Sequence, residues 1–126
     1  MTDADKHWEP ALNPEDIARF FVSRANAGDV DGLVALYEPD AVVAVGEGEV
    51  AVGSEASRSF YAKLLADRPQ FEPGEQRPAL RQGDLALTSS RLLNGTVTAE
   101  VARKQPDGTW LWVIDQPVIA RKSAID

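Results

Sequence analysis

The chain has no cysteine, one histidine and one methionine among its 126 residues. Without cysteine there is neither a disulfide nor a thiolate to bind metal. One histidine among scattered carboxylates makes no ligand cluster of recognisable spacing, so no metal and no cofactor is expected. No apolar run approaches the ~20 residues that cross a bilayer, and the first residues lack the basic-then-apolar order of a signal peptide. Positive charge is in deficit: 13 Lys and Arg face 20 Asp and Glu, a net charge of −7. That balance gives no electrostatic footprint for nucleic acid or an anionic membrane. Gly46-Glu47-Gly48 is followed by neither a helix start nor a lysine, which rules out a phosphate loop. No Ser–His pairing is available beyond His7. The absence of cysteine fits a reducing cytoplasm.

What remains is the composition of an ordinary globular domain, 44% hydrophobic and 26% charged, of a length that suits one core. Residues 1–12 read as a flexible acidic leader holding two oddities. His7 reads as a solvated tail residue, and Trp8 as a plug packed on the domain. Residues 13–120 form the domain and 121–126 a tail. Asn13-Pro14-Glu15-Asp16 is a helix start with Ile17, Phe20, Phe21 and Ala25 at helical spacing. Gly28 stops this helix, Asp29 caps a second over Val30 to Tyr37, and Pro39 ends it. Ala41 to Val45 and Glu49 to Val52 read as a short hairpin. Ser54 caps a third helix carrying Ala56, Phe60, Tyr61, Leu64 and Leu65. Gln70 to Arg81 is extended and interrupted by proline, as suits an edge strand.

Leu85 to Ile119 reads as three long strands around two turns. Asn94-Gly95 predicts a two-residue type I′ turn. Pro106-Asp107-Gly108 predicts a three-residue turn with glycine in the left-handed position. Helices first and long antiparallel strands last predict an α+β domain, with three N-terminal helices packed against a curved antiparallel sheet. Those turns set Ser90 opposite Ala99, Thr88 opposite Val101, and Ala99 opposite Asp115. One face then collects Thr88, Ser90, Val101, Val113 and Asp115. The other collects Arg91, Thr98, Glu100, Trp110, Trp112 and Ile114, with Arg91 and Glu100 in ion-pair reach. That mixed aromatic and charged face predicts a homodimer interface through Arg91, Trp110, Trp112 and Ile114.

Asn26-Ala27-Gly28-Asp29-Val30-Asp31-Gly32-Leu33-Val34-Ala35-Leu36-Tyr37, followed by Asp40-Ala41-Val42-Val43, resembles the opening of nuclear transport factor 2-like, or SnoaL-like, domains. Gly53 with Phe60-Tyr61, and Asp107-Gly108-Thr109-Trp110 with Asp115, resemble their third helix and final hairpin. The resemblance implies a cone of curved sheet around helices, usually dimeric through the outer face of the sheet. It covers ketosteroid isomerase, polyketide cyclases, epoxide hydrolases and non-catalytic members. Carried over from the isomerase, the oxyanion-binding tyrosine falls at Phe21 and the catalytic carboxylate at Val45, neither of which does that chemistry. Only the second acid has a counterpart, Glu100, which this alignment puts in the cavity and the turn chemistry puts on the outer face. Steroid isomerisation is therefore not expected, and turnover of a 5-ene-3-ketosteroid would overturn this.

Two function classes survive. One is an isomerase, cyclase or hydratase acting on a small apolar molecule with one buried carboxylate. The other is a non-catalytic ligand-binding or dimerisation module of the same fold. For the first, Asp115 is the candidate acid or base and Glu100 the alternative. The expected pocket lining is Phe21, Tyr37, Val45, Tyr61, Thr88, Ser90, Val101 and Val113. Asp115 stands in the most apolar run of the chain, Trp110 to Ile119, where desolvation should raise its pKa.

Overall fold

The computed structural model describes residues 8–121, so His7 and the last five residues of the expected tail lie outside it. Three helices come first among the described residues: α1 (Asp16–Asn26), α2 (Val30–Val34) and α3 (Ser54–Leu64). Eight strands follow or intervene: β1 (Tyr37–Gly46), β2 (Glu49–Val52), β3 (Glu75–Gln76), β4 (Leu80–Gln82), β5 (Leu85–Thr88), β6 (Ser90–Arg91), β7 (Val97–Lys104) and β8 (Trp110–Ala120). They make one curved sheet in the order β2-β1-β8-β7-β5-β4, with β3 joined through β6. Pairings are antiparallel except β1 with β8, which is parallel. The expected α+β architecture is the observed one.

The helices cover one face of the sheet. Ile17 and Phe20 of α1, Leu33 of α2 and Tyr61 of α3 are buried together with Val43, Ala102, Trp110 and Trp112 of the strands. Asp29 caps α2 as expected, its Oδ1 accepting from the Gly32 N–H at 2.9 Å. This helix is shorter than the sequence suggested. It ends by Ala35, Tyr37 already belongs to β1, and Pro39 sits inside that strand. The distortion there is recorded in the register of β1 against β8, which jumps between Tyr37 and Val42.

Trp8 packs as the plug its indole suggested: Nε1 donates to Asp29 Oδ2 at 2.8 Å, and Arg24 lies over its ring. Ala11 is buried, and its carbonyl accepts from the Trp110 N–H. Gly32 makes room for this arrangement. A Cβ there would overlap Asp29 Oδ2 and stand 2.8 Å from Trp8 Nε1. Gly32→Ala is expected to detach the indole and cost about 1–3 kcal/mol. A red-shifted tryptophan emission together with a lower urea midpoint checks it.

Two departures from the expected register decide which side chains share a face. First, the Asn94-Gly95 turn is not type I′. Among the described residues only Arg68 has positive φ besides glycines, so Asn94 is not left-handed, whereas Gly95 is, at +90°. Asn94 Oδ1 instead accepts from the Thr96 N–H at 2.9 Å. The loop has three residues, closed by Leu92 N–H to Thr96 O at 2.7 Å. Thr88 is therefore opposite Glu100 rather than Val101. The second turn has the expected form, with Gln105 N–H bonded to Thr109 O at 2.7 Å. The second departure lies beyond it: the register slips between Ala102↔Trp112 and Val101↔Ile114, so β8 carries an extra residue at Val113. Such a bulge bends the strand and lets residues on either side of it face the same way. Trp112 and Asp115, three apart, are both buried.

Candidate functional site

Between the helices and the sheet lies a cavity of about 590 Å³, a size that suits a drug-like molecule. Its apolar wall comes from Phe21 of α1, Phe60, Tyr61 and Leu64 of α3, Val43 of β1, Trp112 of β8, and Phe71 and Leu92 of the loops. Its polar floor comes from the sheet: Ser90, Thr98, Glu100 and Asp115. Paired across β7 and β8, Glu100 and Asp115 are direct neighbours, and both are buried, 5% and 6% exposed.

Asp115 is the end of a hydrogen-bonded chain. The Tyr37 hydroxyl donates to its Oδ2 at 2.5 Å, and the Tyr61 hydroxyl stands 2.6 Å from that of Tyr37. With Asp115 ionised, the one proton of Tyr37 is committed to it, so Tyr61 donates to Tyr37. Burial pushes the Asp115 carboxyl up to about 7; the Tyr37 bond opposes that rise and the Glu100 charge adds to it. Burial likewise raises Glu100, against the pull of the Thr98 and Thr88 hydroxyls, with Thr88 Oγ1 donating to Glu100 Oε1 at 2.7 Å. Burial, then the Asp115 charge, raises both tyrosines, which stay neutral donors at physiological pH. A carboxyl that titrates near neutrality and already sits on a phenol can take or give a proton without metal.

Several expectations are corrected. Glu100 lies in the cavity beside Asp115, not on the outer face, because the three-residue Asn94-Gly95 loop and the Val113 bulge each shift the faces by one. It makes no ion pair with Arg91, which is exposed on β6 opposite Val97. Trp110 and Trp112 are buried on the helix-covered side, 3% and 4% exposed, so neither belongs to an outer interface. Val101 is on the outer face instead, level with Ile114, and the half-buried Val113 occupies the bulge. Of the expected lining, Phe21, Tyr61 and Ser90 border the cavity. Tyr37 and Thr88 stand behind it, bonded to the two acids, and Val45 packs on the core. Trp112, Thr98 and Phe71 were missed; the sequence pattern that would have found the first is hidden by the bulge. Tyr37→Phe is expected to push Asp115 higher still, because the bond that opposes the rise is lost. Carboxyl titration by NMR measures this.

The described residues hold no group of three or more His, Cys, Asp or Glu arranged for a metal ion. The sequence profile of a family described as a SnoaL-like domain matches residues 17–121. Solved structures similar to this chain include a ketosteroid isomerase-like protein from Erwinia carotovora atroseptica, 21% identical with a TM-score of 0.60 over 80% of this chain and 88% of that one. A nuclear transport factor 2-like protein with a cystatin-like fold from Novosphingobium aromaticivorans is also 21% identical, with a TM-score of 0.60 over 88% and 82%. A protein of unknown function with a cystatin-like fold from Nostoc punctiforme reaches a TM-score of 0.66 at 20% identity over 92% and 91%. At such identities these likenesses speak for the fold alone.

Proposed function

The chain belongs to the SnoaL-like domain family, and from that premise we propose that it is a cofactor-independent acid–base enzyme of the isomerase, cyclase or hydratase kind. Its substrate is a small, largely apolar organic molecule held between the helices and the sheet. One observation carries the reading: a buried carboxyl at the cavity floor, pushed up to about 7 and bonded to the Tyr37–Tyr61 pair. In this reading Asp115 takes a proton from the substrate and returns it elsewhere. Tyr37 holds the carboxyl in place and Glu100 keeps its proton affinity high. The test is deuterium wash-in next to the carbonyl of bicyclic ketones such as tetralone and decalone, followed by NMR. Exchange well above the buffer rate, lost in Asp115→Asn, is the expected result. Exchange no faster than buffer, or equally fast in the variant, sinks the proposal.

A second reading, a non-catalytic binding and dimerisation module, draws on the outer face. Leu80, Leu87, Val101, Ile114, Val42 and Val52 stand level across six strands, and four of them are exposed: Leu80, Leu87, Ile114 and Val52. An apolar row of that length on a soluble protein marks an interface. We place the protein in the cytoplasm as a homodimer joined through this row, with Ile114 the one retained member of the interface first expected. Sedimentation should give a species of twice the 13.7 kDa chain mass, and Ile114→Glu should give the single chain. A wild-type monomer at micromolar concentration excludes the dimer.

A further inference from the structure

The charges around the cavity have one sign at its floor. Glu100 and Asp115 are neighbours there, and neither makes an ion pair among the described residues. Among the described residues their side-chain hydrogen bonds come from neutral hydroxyls, Thr88 and Thr98 to Glu100 and Tyr37 to Asp115. Nearer the rim the lining adds Glu15, Asp16, Glu72 and Arg19; Arg19 is paired with Asp16 at 3.3 Å, and Glu15 with Arg81 at 3.4 Å. Two adjacent buried carboxyls without a cation are costly once they ionise. The wall above them is aromatic, with Phe21, Phe60, Phe71 and Trp112, a surface that attracts organic cations by its ring faces.

We propose that the ligand of this cavity is a lipophilic amine bound as its ammonium ion, with the nitrogen against the Glu100–Asp115 pair and the apolar body among the aromatic rings. The proposal rests on the reading of the cavity as the ligand site and deepens it by naming the substrate class. An ammonium group supplies the positive charge that no described residue provides at the floor, and adds donors beside the three hydroxyls. It also needs only one of the two carboxyls ionised, so the pair keeps a proton to transfer. An anionic ligand would bring a third negative charge beside two acids, which the geometry rejects.

The groups facing the pair are Tyr37 from β1, Tyr61 from α3, and Thr88 and Thr98 from β5 and β7, with Asp16 and Arg19 of α1, Glu15 just before it and Glu72 of the loop after α3 further out. Between pH 5.5 and 8 only the pair itself changes charge among those at the floor, since both tyrosines are raised. The ammonium should bind more tightly as the pair gives up a proton over this range.

Titration calorimetry with naphthylmethylammonium, naphthylmethanol and naphthoate separates the possibilities. The expected result is binding of the ammonium about tenfold or more tighter than the alcohol, as charge-assisted hydrogen bonds allow, with no binding of naphthoate. Ammonium affinity should rise from pH 5.5 to 8 while that of the alcohol stays level. In a Glu100→Gln, Asp115→Asn double variant the preference should vanish and alcohol binding should remain. The pH series on the wild type serves as the second measurement where the double variant does not fold. Alcohol binding without ammonium preference, a flat ammonium series, or naphthoate binding equal to the ammonium overturns the amine proposal and leaves the cavity reading standing. Binding of none of the three overturns both.

Discussion

Asp115→Asn should melt later than the wild type at pH 8, and at about the same temperature at pH 4.5. The carboxyl is raised to about 7 in the fold, against about 3.9 in an unfolded chain. Between those values the folded state holds the extra proton, so stability falls as pH rises from about 4 to about 7 and then levels off. Three units correspond to an upper limit of about 4 kcal/mol, carried by the wild type above neutrality. Asparagine keeps an oxygen to accept from Tyr37 and has no proton to lose. The gain at pH 8 should appear as ~5–10 °C in the midpoint of scanning calorimetry. A residue held for its function is the kind whose removal stabilises. A variant that melts earlier at pH 8 would make Asp115 a structural anchor instead.

Trp112→Ala is expected to be the most damaging single truncation near the cavity, costing about 3–5 kcal/mol. The indole is 4% exposed and has its ring centre 5.4 Å from that of Tyr37 and 6.0 Å from that of Phe21. Removing it widens the cavity at the point where the tyrosine chain is held against Asp115. Trp112→Phe separates packing from polarity. Buried Nε1 has no acceptor among the described residues, and an unmatched buried donor is itself a cost of about 1–3 kcal/mol. Phenylalanine keeps an aromatic ring and drops that donor, so the loss should stay below about 1 kcal/mol. Urea midpoints of the two variants, compared at equal slope, decide the matter. A phenylalanine variant as unstable as the alanine one would show that the indole N–H is bound after all.

The helices, their order and the strand-rich end were legible because apolar spacing, caps and turn residues agree there. Asp115 stood out too, as the one carboxylate in the apolar run Trp110 to Ile119, although the run alone suits a structural role as well. What misled was local chemistry that two geometries satisfy. Asn-Gly suits a two-residue turn with both residues left-handed, and it also suits a three-residue loop in which Asn94 accepts from Thr96 N–H and Gly95 alone turns left. A one-residue difference flips every side chain beyond it. The Val113 bulge leaves no mark in a run of apolar residues, since Val113 and Ile114 suit either face. The isomerase alignment was the better guide to Glu100, for it carries the register of a whole fold rather than one turn.

The parallel pairing of β1 with β8 has a consequence in time. The Tyr37–Asp115 bond joins residues 78 apart, so chain synthesis must run that far after Tyr37 before its partner exists. At the usual pace of translation this takes on the order of 4–16 s. Ile17, Phe20 and Leu33 have been made before that interval starts and Tyr61 within it, while the strand that covers them comes last. Nascent chains, rather than the finished domain, are then the form with most need of a chaperone, and the last strand to leave the ribosome is the one that closes both the core and the site.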